Sequence, residues 1–139
     1  RRKRMAFQLS TAVRNATLSA IETTVGTTPI LTISTDSPPT DCSTANTGTV
    51  LATMSLPADF MQNPASGVVQ LSGTWQDLSA DASGTAGHFR VFDSTGTTCH
   101  MQGTITATSG GGDMELDNTN IAVGQQIQIT AFTITAGGA

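Results

Sequence analysis

Two periodicities divide the chain. From Ser10 to Gly26, Val13, Thr17, Ala20, Ile21 and Val25 recur at helical spacing on or near one face. Ser10 stands as N-cap and Gly26 as stop, which predicts a helix over 10–25. Its many threonines make it a weak helix former, so packing must hold it in place. After Pro29 the period drops to two: Leu31 and Ile33 share a face, and so do Val50, Ala52, Met54 and Leu56. Between these strands lies a long polar loop, "TDSPPTDCSTANTG", which holds Cys42.

The same alternation continues to the end. Prolines 57 and 64 bracket "ADFMQN", a turn carrying Phe60 and Met61, and "GVVQLSGTW" supplies Val69, Leu71 and the only tryptophan. "SADASGTAG" reads as a small-residue connection, "GTITATS" as a strand and "GGG" as a turn. In "GQQIQITAFTIT", Ile127 and Ile129 share one face while Phe132 and Ile134 share the other, an odd-numbered switch that predicts a bulge or a change of sheet near Thr130. Six to eight short strands with frequent turn signals, preceded by one helix, predict an antiparallel β-sandwich of immunoglobulin-like or jelly-roll type. Residues 1–9 form a basic arm and 10–139 a single domain, since no internal repeat or second core is visible.

Composition agrees with strands and turns. Charged residues make up only 12% of the 139, tyrosine is absent, and threonine, serine and glycine fill the space. So few charges imply an exterior covered in part by partners. The net charge of −4 includes the four positive charges of "RRKR"; removing them leaves a body at −8. A basic arm on an acidic body points to an interaction tail, and Arg1, Arg2, Lys3 and Arg4, with Arg14, are the candidate partner-binding residues. Docking on an acidic surface of another protein chain fits them better than nucleic acid, because four charges without interleaved aromatics give only a weak, salt-sensitive phosphate contact. No run reaches the length of a membrane span and the segment after the arm is too polar for a signal-peptide core, so a protein made in the cytosol is expected. Cys42 and Cys99 could pair, but reduced thiols are the expectation in that compartment.

"GHFRVFDSTGTTCHMQ" gathers both histidines, one of the two cysteines, an arginine and an aspartate. With Ser94-Thr95-Gly96 as a three-residue hairpin loop, Asp93 faces Thr97, Val91 faces Cys99, Phe89 faces Met101 and Gly87 faces Gly103. That register puts Cys99 in the core and leaves His88, Arg90, His100 and Gln102 on an exposed face. Cys99 and His100 then point to opposite surfaces and form no catalytic dyad. His88 and His100 share the outer face, but no metal-ligand spacing or nearby carboxylate accompanies them, and no metal site is assigned. In "DMELDN" the spacing of Asp113, Glu115 and Asp117 suggests calcium, yet Asn118 and Gly124 stand where the loop needs glycine and glutamate; the carboxylates read as the wet side of a strand. No nucleophile with its base and no cofactor fingerprint is present, so neither an enzyme nor a cofactor is expected.

The stretch "GTWQDLSADASGTAGHFRVFDSTGTTCHMQGTI", with "GGGDMELDN", the terminal "ITAFTIT", "AFQLSTAVRNATLSAIETTVG" and "LATMSLP", resembles a family of small proteins encoded among the virion structural genes of tailed bacteriophages. The likeness begins at Met5 and leaves the arm without a counterpart. It implies a non-enzymatic virion component assembled in the bacterial cytoplasm, a capsid cement or decoration protein present in several copies on the major capsid protein. A neck, tail or head-fibre component, or a host-glycan-binding β-sandwich, is the alternative. The resemblance transfers no active-site residues.

Overall fold

The computed structural model describes residues 7–139; Arg1, Arg2, Lys3 and Arg4 lie outside them. Helix α1 spans Thr11–Val25. The Ser10 side chain accepts the Val13 N–H, and the Gly26 N–H donates to the Glu22 carbonyl, so both ends close as the sequence predicts. Its buried stripe is turned from the expected one. Leu18 and Val25 are buried and Ile21 packs against them, while Val13 is 45% exposed.

Eleven strands follow: β1 (Ile30–Ser34), β2 (Val50–Ser55), β3 (Val68–Gln70), β4 (Trp75–Asp77), β5 (Gly84–Thr85), β6 (His88–Phe92), β7 (Cys99–Ala107), β8 (Met114–Leu116), β9 (Asn120–Ile121), β10 (Ile127–Ile129) and β11 (Thr133–Thr135). Five of them form one sheet in the order β2-β1-β6-β7-β8, curled like half of a barrel. The other six pair as ribbons, β10 with β4, β11 with β3 and β5 with β9. The protein is therefore mainly β with one helix among the described residues, and the strands outside the main sheet pair only as short two-stranded ribbons.

Pairing is antiparallel except between β7 and β8, which run parallel with Ile105 opposite Met114. A parallel neighbour ordinarily needs a long crossover. Here residues 108–113 fold back along β7, and Asp113 takes both the backbone N–H and the hydroxyl of Thr104.

Alternation fixes which face each strand buries. Leu31, Ile33, Ala52, Met54, Phe89 and Val91 meet on the concave side, each at most 3% exposed. Trp75, Ile127, Ile129 and Phe132 close over them from the ribbons. An aromatic chain crosses this core: Phe60 to Trp75 at 6.2 Å, Trp75 to Phe132 at 5.8 Å, and Phe132 to Phe89 edge-on at 5.4 Å between ring centroids. Each such side chain contributes about 1.5–3 kcal/mol by leaving water. The strand switch expected near Thr130 is present: β10 pairs with β4 before it, β11 with β3 after it, and Phe132 enters the core between them.

Candidate functional site

The β6–β7 hairpin carries the residues singled out in the sequence, in a register that corrects the expected one. Asp93 pairs with Thr98, so Ser94 to Thr97 form the loop, with Gly96 at φ +71° as its left-handed residue. The Asp93 carboxylate accepts the Thr97 N–H and the Thr95 hydroxyl, and these bonds hold its pKa below the ordinary value. The longer loop places Phe92 opposite Cys99. A bulge then restores the apolar pairing, with Val91 opposite Met101 and Phe89 opposite Gly103. One extra residue in β7 absorbs a slip that would otherwise have mixed the faces.

Cys99 thereby leaves the core face and joins Phe92, Arg90 and His88 on the convex one. His100, at the bulge, lines a groove of about 260 Å³ with Thr17, Ala20, Ile21 and Val25 of α1. Cys99 and His100 part as expected, but for a different reason: Cys99 meets the loop that carries Cys42, and His100 faces the groove beside α1.

The convex face is not open. Residues 35–49 fold across it, and two of the expected surface residues are buried beneath, His88 at 0% and Arg90 at 3% exposed, together with Ser34 at 0%. The row His88, Arg90, Gln102 offers hydrogen-bond donors, and the loop supplies acceptors. His88 Nδ1 donates to the Asp36 carbonyl at 2.9 Å, and Nε2 meets the Asn46 side-chain oxygen at 2.8 Å. Arg90 Nη2 donates to the carbonyls of Cys42 and Thr44 at 2.8 and 2.9 Å, while its guanidinium carbon lies 5.5 Å from the centre of the Phe92 ring. Gln102 Nε2 donates to the Pro39 carbonyl at 2.7 Å. Charged donors on desolvated carbonyls make the stronger class of hydrogen bond.

The loop is shaped from within as well. Asp41 accepts the N–H and hydroxyl groups of both Ser43 and Thr44, wrapping the chain around Cys42, and the two hydroxyls hold its pKa low. Cys42 and Cys99 are free thiols with sulfurs 2.9 Å apart. Burial, followed by the neighbouring Cys99 sulfur, pushes the Cys42 thiol up to about 11.

The remaining candidates fall elsewhere. Asp113 serves Thr104, and Glu115 accepts the N–H groups of Ser109 and Gly111, while Met114 and Leu116 are buried between them as the alternation predicts. Among the described residues no three His, Cys, Asp or Glu side chains are grouped to hold a metal. Arg14 lies across the Ser66-Gly67 turn: a Cβ on Gly67 would sit 2.1 Å from its Nη2, and the adjacent Asn15 side chain accepts the Gly67 N–H. Among the described residues no helix is long and apolar enough to cross a membrane.

The sequence left a meeting of Cys42 and Cys99 open, with reduced thiols as the expectation, and the two are free thiols in contact; it missed the anchoring of Asp36, Pro39 and Asn46. The signal was present in part: a strand that alternates His88 and Arg90 with core residues can bury them only where acceptors come from somewhere else in the chain. No protein-family model, curated protein or solved structure matches the chain.

Proposed function

We propose that this chain is a non-enzymatic virion structural protein that binds and stabilises a phage head shell as a cement or decoration protein. The observation that carries the reading is the use of the chemistry-bearing side chains. His88, Arg90 and Gln102 are tied to the protein's own loop, so the convex face is built as a rigid wall rather than a reaction site. The layered β scaffold acts in this reading as a sandwich-like spacer.

Adhesion falls to the N-terminal side. Phe7 is 71% and Val13 45% exposed, and both follow closely on the basic arm. The Leu9 N–H donates to the Gly138 carbonyl, which ties this segment to the domain. Apolar contact through Phe7 and Val13, with charge pairing by Arg1, Arg2, Lys3 and Arg4, would bridge neighbouring capsid subunits; Arg14 contributes by bracing the turn beside the helix.

Reconstruction of intact particles by electron microscopy, with the chain counted by quantitative mass spectrometry, tests this. Many copies at symmetry-related sites on the head are expected. A few copies at a neck or fibre position would transfer the chain to the alternative virion role, and absence from the particle would end both. Specific retention on a glycan array would favour the host-surface reading instead.

A further inference from the structure

Cys42 and Cys99 are fifty-seven positions apart in sequence, yet each is brought to the other by contacts that do not involve sulfur. The Cys42 carbonyl is held by Arg90 Nη2 at 2.8 Å, and the Asp41 side chain bonds Ser43 and Thr44 on its far side. Cys99 is turned onto the same convex face by the bulge that places it opposite Phe92. Both thiols are half-buried, and their sulfurs lie 2.9 Å apart, well inside van der Waals contact.

We propose that Cys42 and Cys99 form an oxidation-closed staple that fastens loop 35–49 to the β6–β7 hairpin. The oxidant is a small-molecule disulfide of the glutathione class. One protein thiolate attacks a sulfur of that disulfide, a protein–glutathione bond forms, and one glutathione thiolate leaves. The second protein thiolate then attacks the protein sulfur of the mixed bond and expels the other glutathione. Two protein thiols are oxidised, one disulfide is reduced to two thiols, and the two protons pass to the departing glutathiones. The Arg90 and Gln102 contacts hold the loop in place whether the staple is open or closed. Oxidation therefore locks an existing arrangement and does not need to create one. The inference concerns the chain's own chemistry and stands whether or not the capsid reading does.

The test treats purified full-length protein with oxidised glutathione, then alkylates it under denaturing conditions and measures intact mass. Alkylatable thiols should fall from two to none, with loss of two hydrogens and no dimer on a non-reducing gel. Proteolysis within residues 35–49 should slow on the order of tenfold. Cys42→Ser and Cys99→Ser should each keep one thiol or carry one glutathione, and gain no such protection. Two thiols that remain alkylatable in the folded wild-type protein would overturn the proposal, as would stable glutathione adducts on both cysteines or disulfide-linked dimers. The wild-type thiol count decides the matter even if a serine variant fails to fold.

Discussion

Phe92 lies opposite Cys99, one step away from the pairing that sets Val91 opposite Met101. That single offset moves a thiol from the core to the convex face. There it meets the loop that Arg90 and His88 hold down.

Arg90→Ala removes the donor that serves the carbonyls of Cys42 and Thr44 and leaves both without their partner under the loop. A loss of about 2–4 kcal/mol in urea unfolding is expected. Arg90→Lys should recover only part of it, because an ammonium lacks the planar fork and the stacking on Phe92.

Gly67 has φ +73° and lies directly beneath the Arg14 guanidinium. Gly67→Ala should cost about 1–3 kcal/mol through backbone strain and the clash together. In the Arg14→Ala background the cost should shrink, since only the backbone part remains. A double-mutant cycle by chemical denaturation reads the coupling.

Phe132 joins Trp75 to Phe89 at the point where the chain changes ribbons. Phe132→Ala should destabilise by about 3–5 kcal/mol. Because Trp75 is fully buried and is the only tryptophan, its emission should shift to the red in the folded variant.

Glu22 and Asp93 should oppose each other in pH dependence. Burial, with the nearby Asp59 adding to it, raises the Glu22 pKa above 4.5, so its protonated form is favoured on folding. That contribution is complete below the unfolded value and is lost as pH rises through the raised one. Asp93 is depressed below 3.8, so its contribution is present above that value and is lost as pH falls through the folded one. The stability difference between wild type and Glu22→Gln should thus decline as pH rises above 4.5, and that between wild type and Asp93→Ala should decline as pH falls below 3.8. Melting temperatures across the acid range check both signs.

Local signals carried much of the fold. The caps at Ser10 and Gly26, the alternation of Leu31 with Ile33 and the switch near Thr130 each depend on a few neighbouring residues, and each is found as read. The hairpin itself was legible from Gly96, but its register was not. A three-residue and a four-residue loop both satisfy the turn, and the bulge that reconciles the longer one with the core depends on pairing several residues away. The helix face differs from the expected one because Leu18 and Val13 are both apolar, and only packing in the folded chain chooses Leu18. Most of the candidate site was hidden for a related reason. His88 and Arg90 look like surface residues on an alternating strand, and their burial comes from a polar loop more than forty positions away whose backbone carbonyls leave no hydrophobic signature.

The central claim is that the polar row on β6 and β7 exists to hold loop 35–49. Hydrogen–deuterium exchange of reduced wild type against Arg90→Ala tests it most directly. Amides in 36–46 should exchange much faster in the variant, while those of the core pair β1 and β2 stay protected. Unchanged exchange in the loop of a folded Arg90→Ala protein would contradict the claim.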